Sequence, residues 1–346
     1  MKPKKNRASG RPTLADVAKR AGVSEITASR AMRGVKTVGP ELAEAVKQAA
    51  KAVGYIPDPA ARALASKRSR SILVLIPALS NQLFIGMYEE IQKALRAEDY
   101  EIFLGNYHYD ARQEEKLIRD YLVYRPSGVL LTGNEQSAAA TKMLKDSGLP
   151  CVYMMDLLET PGTISIGFSQ EEAGAAVARH LIATGRRKLA YIAAQLDPRA
   201  KYRGQGFQRE IARHGLEPAI ELRAPIPSSP GLGADQFRSI LGEYPDRDGL
   251  FFCNDDLAWG ALMEASRLQI DIPERFSIVG FNDLPLSAHM APRLTSVKTP
   301  LDEIGRHGAV TLLRLVRGQP VESACCDLGF ELKIRESSLF SGGAAA

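Results

Sequence analysis

TLADVAKRAGVSEITASRAMRG, residues 13–34, is short, rich in alanine and free of aromatic side chains, yet its polar residues stand at helical spacings. Leu14, Val17, Ala18 and Ala21 recur every three or four positions and make one apolar face of a helix. Thr13 precedes that face with Asp16 three residues on, so each side chain can bond an amide left free at the helix start. Gly22 suits the left-handed residue that closes a helix. Ser24 then caps a second helix running to about Met32, with Thr27 three residues after it. Two short helices joined by a tight turn form a helix-turn-helix, whose second helix enters the major groove of DNA. If Ala28 and Met32 face the first helix, then Glu25, Ile26, Ser29, Arg30 and Arg33 remain outside. Arg can bond guanine through two nitrogens, Glu can accept from cytosine, and Ile can touch a thymine methyl. A solvated helical hairpin would show the same periodicity, so the charge distribution has to decide.

It does so by asymmetry. Residues 1–70 hold 16 Lys or Arg against 5 Asp or Glu, a balance of +11, and the other 276 residues carry −6. Basic charge concentrated beside the motif, including Lys2, Lys4, Lys5, Arg7 and Arg11, is what neutralising a phosphate backbone requires. After the loop VKTVG, residues Pro40 to Val53 form a third amphipathic stripe through Leu42, Ala45, Val46 and Ala49, bounded by Pro40 and Gly54. YIPDPAARALASKRSR follows, a proline-interrupted linker able to become helical.

From Ser71 the pattern changes to apolar runs separated by helical stretches: SILVLIP, EIFLGN, GVLLTG, CVYMMD, KLAYIAA, GLFFCND and SIVGFND. Such alternation predicts parallel sheets covered on both faces, and more than six units predict two doubly wound lobes. Ligands of these sheets lie beyond the carboxyl ends of the strands. Asn81 and Phe84, Asp156, Phe168, Asn254 with Asp255, and Asn282 with Asp283 all fall there, and Arg199, Lys201 and Arg203 follow KLAYIAAQL. Any of them could instead be a turn or cap residue, and Asp255 or Asp256 reads best as one.

Other chemistries find little support. There is no GxSxG elbow, no P-loop and no HExxH, so a sugar-processing α/β enzyme is the weaker reading. Cys151, Cys253, Cys325 and Cys326 lack metal-ligand spacing and read as buried thiols. Neither a metal nor a cofactor is expected. No apolar run follows the basic N-terminus and none reaches the roughly 18 residues of a membrane span, so the expected location is the cytoplasm. For the same reason a secreted solute-binding protein fits poorly.

From Thr13 to about Arg335 the chain resembles the LacI/GalR family of bacterial transcription repressors. The resemblance is carried by TLADVAKRAGVSEITASRAM, GYIPDPAARALAS, RGQGF, NDDLAWGA, VGFND and PRLTSVKTP, in that order. It implies an all-α helix-turn-helix domain over 1–58, a hinge helix over 59–69, and a two-lobed α/β core similar to periplasmic sugar-binding proteins over 70–340. The N-lobe would take about 70–168 and 299–326, the C-lobe about 169–298 and 327–337, and 341–346 would be a disordered tail. It also implies a homodimer on double-stranded operator DNA. The DNA site then includes Thr13, Leu14, Ser24, Glu25, Ile26, Thr27, Ser29, Arg30 and Arg33, with Tyr55, Pro57 and Ala61 at the hinge approach. Leu64 matches the leucine that pries open a minor-groove base step, an unstacking recovered through contacts with the bent duplex.

HYDARQEEKLI, IGFSQEEAG, LDPR, EYPDRDGLFFCNDDLAWGA and DLGFEL resemble most the repressors of gluconate and ketogluconate metabolism. That implies a sugar-acid effector, with a neutral or phosphorylated sugar as the alternative. Arg203 matches the effector-binding arginine, with Lys201 and Arg199 beside it. Asn81, Asp156, Asn254, Asn282 and Thr299 match polar pocket positions, and Phe84 and Phe168 match apolar walls. Many family members carry an aspartate where this chain has Asn282, and a neutral amide repels an anion less.

Overall fold

The computed structural model describes residues 12–35, 37–56, 69–79 and 82–339. The chain folds as two units divided between Ser69 and Arg70.

The first unit contains three helices, α1 (Leu14–Ala21), α2 (Glu25–Met32) and α3 (Pro40–Val53). Thr13 and Asp16 form the reciprocal cap, with Thr13 N donating to Asp16 Oδ2 at 2.8 Å and Asp16 N to Thr13 Oγ1 at 3.4 Å. Gly22, at φ 68°, ends α1 in the left-handed region that glycine enters without steric cost. Thr27 N donates to Ser24 Oγ at 3.1 Å, which fixes the start of α2. Val17, Ala18, Ala28, Ala31, Val46, Ala49 and Ala50 form the core. Met32 does not take the buried position the spacing offers it. Ala31 does, and Met32 packs half-buried at the edge, because helices this close have room for a methyl group and not for a thioether.

The second unit is built on two six-stranded sheets. One contains β1 (Ser71–Ile76), β2 (Glu101–Asn106), β3 (Gly128–Thr132), β4 (Cys151–Met155), β5 (Ser165–Gly167) and β11 (Cys325–Asp327), in the order β11-β5-β4-β3-β1-β2. The other contains β6 (Leu189–Ala194), β7 (Ile220–Ala224), β8 (Gly249–Phe252), β9 (Ser277–Asn282), β10 (Thr295–Lys298) and β12 (Glu331–Lys333), in the order β12-β10-β9-β8-β6-β7. All neighbours are parallel except β10 and β12. The seven apolar runs are β1, β2, β3, β4, β6, β8 and β9; β1, β3, β6, β8 and β9 are buried along their whole length, while β4 is partly covered and β2, at a sheet edge, is mostly half-exposed. β5, β7, β10, β11 and β12 escape that reading because they are short or polar and sit toward the sheet edges.

The covering helices are α4 (Leu83–Arg96), α5 (Ala111–Leu122), α6 (Ala138–Ser147), α7 (Gln170–Ala183), α8 (Pro198–Arg213), α9 (Pro230–Glu243), α10 (Asp255–Arg267) and α11 (Leu301–Val316). α7 and α8 meet backbone to backbone. A Cβ on Gly174 would lie 2.0 Å from the carbonyl oxygen of Arg203, and one on Gly206 would lie 1.8 Å from that of Glu171. Chain order reverses between β1 and β3 in the first sheet and between β6 and β8 in the second. Loops leaving the carboxyl ends of those strands diverge and open a crevice. The loops after β3, β6 and β8 therefore frame the site.

Candidate functional site

On the helical unit, the surface of α2 is set by what its core rejects. Ser24, Glu25, Ile26, Arg30 and Arg33 are exposed, Ile26 by 65%, whereas Thr27 and Ser29 are half-buried. An exposed aliphatic side chain on the same helix as Arg30 suits contact with a base edge, though single exposed apolar residues are ordinary on protein surfaces. Ser24 and Thr27 bond each other at 2.9 Å, so both hydroxyls already serve the helix start. Thr13 is exposed at the cap of α1, Leu14 lies half-buried against the small core, and so does Tyr55. Pro57, Ala61 and Leu64 lie outside the described residues, as does Asn81 of the core.

Between the two lobes a cleft of about 520 Å³ is lined by Gln82, His108 and Tyr109 from one side and by Gln195, Ser228, Asn254, Asp256 and Trp259 from the other. Beneath it a cavity of about 20 Å³ is enclosed by Phe84, Met155, Asp197, Arg199 and Arg203, among others. Asp156 and Phe168 line a separate cavity of about 240 Å³, and Asn282 and Thr299 line one of about 660 Å³ at the crossings between lobes. Eight of the ten predicted effector residues thus border one or another of these four cavities. Lys201 is exposed and lines none of these cavities. Two positions from both Arg199 and Arg203, it projects roughly 200° around the helix from each.

Arg203, which lines the small cavity beneath the cleft, is held on several sides. Its Nε donates to Gln170 Oε1 at 2.8 Å and its Nη1 to the Cys253 carbonyl at 2.7 Å, with Asn254 Oδ1 at 3.4 Å. The guanidinium lies 3.8 Å from the centre of the Phe281 ring, which Phe168 backs at 6.3 Å. Nη2 keeps no acceptor among the described residues. A rigidly held fork with one free nitrogen can receive a carboxylate oxygen without further ordering.

Arg199 is buried among carboxylates, 3.8 Å from Asp156 and 3.6 Å from Asp197. Burial raises the pKa of Asp156, and Arg199 only partly opposes it. Asp156 Oδ2, Arg199 Nη1, Asn282 Oδ1 and Thr299 Oγ1 are buried and make no hydrogen bond among the described residues. Buried polar atoms of this kind on predicted residues call for a partner, which water or a polar ligand can supply.

The loops carry backbone strain at the same place. His108, Tyr109, Met155, Gln195, Leu196, Asn282 and Asp283 all have positive φ, Asn282 at 111°. Of these, His108, Tyr109 and Gln195 are site residues that sequence reading missed, together with Gln82, Ser228 and Trp259. A polar residue just past EIFLGN or KLAYIAA was the available signal. Asp255, in contrast, is neither ligand contact nor helix cap. Fully buried, it accepts from Ser296 Oγ at 2.6 Å, Leu284 N at 2.7 Å and Ser287 Oγ at 2.9 Å, and Trp259 Nε1 donates to Ser287 at 3.0 Å. Burial pushes its pKa up to about 6 against those bonds. It ties the cleft wall to β10.

Comparison with known proteins agrees with this geometry. Residues 13–58 match the bacterial regulatory proteins of the lacI family, and residues 178–338 match a periplasmic binding protein-like domain. The HTH-type transcriptional regulator GntR of Pseudomonas aeruginosa is 52% identical over 336 residues, 97% of this chain and 98% of its own. The chain belongs to the LacI family. A crystal structure of transcription regulator GntR from Chromobacterium violaceum matches with a TM-score of 0.76 at 45% identity, over 78% of this chain and 99% of that one. The lac repressor dimer bound to operator and the anti-inducer ONPF matches with a TM-score of 0.84 at 25% identity, over 95% of this chain and 99% of that one. As a LacI-family member the chain is a DNA-binding transcription regulator. Among the described residues no helix is long and apolar enough to cross a membrane.

Proposed function

We propose that this LacI-family regulator is a homodimeric repressor whose operator affinity is controlled by a sugar acid such as gluconate or 2-ketogluconate held between its lobes. The observation that carries the effector assignment is Arg203, buried, fixed by Gln170, Cys253 and Phe281, lining the small cavity beneath the cleft and left with one donor nitrogen that has no acceptor among the described residues. Asn282 and Asn254 supply neutral hydrogen-bonding groups suited to hydroxyls. Two copies related by a two-fold axis read inverted half-sites through Glu25, Ile26, Arg30 and Arg33, as the operator-bound lac repressor dimer suggests. The effector favours one arrangement of the lobes, and residues 59–69 transmit it as a hinge. Coupling of about 1–3 kcal/mol between the sites is typical of such switches.

The test is a titration of the full chain with gluconate, 2-ketogluconate and glucose, read by calorimetry and by the fluorescence of Trp259, the one tryptophan, which lines the cleft. Operator release is then followed with the acid that binds. Binding of an acid and not of glucose, with release of DNA, is the expected result. Equal binding of glucose would sink the sugar-acid assignment.

A further inference from the structure

Arg199 belongs to the second lobe, at the start of α8, but its guanidinium lies against the first. A Cβ added to Gly133, just after β3, would stand 2.8 Å from Arg199 Nη1 and 2.7 Å from Glu135 Oε2. Asp156 Oδ2, just after β4, lies 3.8 Å from the same nitrogen, within ion-pair reach but too far for a hydrogen bond. Glu135 Oε1, Asp156 Oδ2 and Arg199 Nη1 are all buried without a hydrogen-bond partner, and Arg199 as a whole is 3% exposed. From its own lobe Arg199 faces Asp197. The attraction across the cleft is therefore strong in charge and poor in geometry, the combination most open to a competing anion.

We propose that Arg199 is an interlobe latch: Glu135 and Asp156 of one lobe hold a guanidinium of the other, and an anionic effector competes with them for Nη1. The point of entry is the small cavity that Arg199 shares with Arg203, whose roughly 20 Å³ admits one small group. Glu135 then sets effector affinity although it lines none of the four cavities itself. The identity of the anion rests on the sugar-acid reading; the latch does not.

Proton linkage follows. Glu135 is faced by Asp156, Asp197, Glu114 and the Tyr107 phenol as well as by Arg199. Burial pushes its pKa up to about 7, Arg199 lowers it, and the three carboxylates raise it. An arriving anion adds negative charge, so it favours protonated Glu135 and binding takes up a proton. Affinity must rise as pH falls through 7. If the anion raises the Glu135 pKa by one further unit, binding at pH 6 exceeds that at pH 8 by about 5-fold.

The experiment is calorimetric titration of the full chain with gluconate at pH 6, 7 and 8, each in two buffers of different ionisation enthalpy. Wild type should bind about 5-fold tighter at pH 6 than at pH 8 with measurable proton uptake. In Glu135→Gln, both the pH slope and the uptake should vanish, with affinity at pH 8 near the wild-type value at pH 6. Gluconate binding with the same slope and uptake in both proteins would overturn the latch and leave the sugar-acid reading standing. If no sugar acid binds at any pH, that reading falls, and the latch is judged by hydrogen exchange without ligand. Amides of residues 133–136 and 199–202 should exchange faster at pH 7.5 in the Glu135→Gln, Asp156→Asn double variant than in wild type. Unchanged exchange would overturn it.

Discussion

In the helical unit, the side chains proposed to meet DNA are those the fold does not use: Ile26 is 65% exposed on a helix whose Ala28 and Ala31 are buried. In the core the order is reversed. Arg199 and Arg203 are 3% and 4% exposed, and the polar atoms without a partner among the described residues lie beside loops of positive φ. DNA is a large polyanion read by an exposed convex face, whereas a small polar molecule must be surrounded before its few hydrogen bonds outweigh those it makes with water. Changes on the first surface should alter recognition at little cost to folding; changes in the second should cost both.

Four substitutions or deletions test that contrast. Removing residues 1–69 gives the largest effect: operator binding is lost altogether in a mobility-shift assay, while calorimetry of the remaining core still finds the effector. Surviving operator affinity would place DNA recognition elsewhere. Next comes Arg203→Ala, which removes the free donor and also strands Gln170 and the Cys253 carbonyl. Truncating one partner of a buried charged contact costs about 2–5 kcal/mol of binding, so effector affinity should fall at least about 30-fold. An affinity within a factor of three of wild type would show that the anion is read by another group.

Gly174→Ala should cost about 1–3 kcal/mol of stability, since its Cβ must displace the Arg203 backbone. Thermal unfolding would show the loss, and effector affinity should fall with it, because the shifted backbone carries the reading arginine. The smallest effect belongs to Ser24→Ala. Loss of the cap on α2 should cost about 1 kcal/mol, visible as faster hydrogen exchange of the α2 amides with no change in effector affinity.

The two regions also differ in how much of them could be read in advance. Both ends of α1 and the start of α2 were legible because their caps are local: Thr13 with Asp16, Gly22, and Ser24 with Thr27 all bond within four positions, whereas the end of α2 could be read only approximately. Seven strands were legible because each is a continuous apolar run; five of them are covered on both faces, whereas β2 is apolar although it lies at an edge. The other five were not, since they are short or polar and carry no such run. In the core, the polar residues named at strand ends fall on loops that border the cavities, but the sequence did not tell which of them are buried and bonded within the fold. Lys201 has the charge of a ligand-binding residue and is exposed, while Asp255 has the look of a cap and ties the start of α10 to the stretch 284–287 and to β10.

The sequence by itself determined the helix-turn-helix and the two doubly wound lobes, because caps, turns and periodicity act over a few residues and each leaves its mark where it acts, and its motifs carried the resemblance to the family. Only the tertiary structure decided that Gly133, Glu135 and Asp156 of one lobe meet Arg199 of the other. Those residues are far apart in the chain, and the energy of the arrangement lies in burial and unmade hydrogen bonds, which exist only once both lobes have enclosed them.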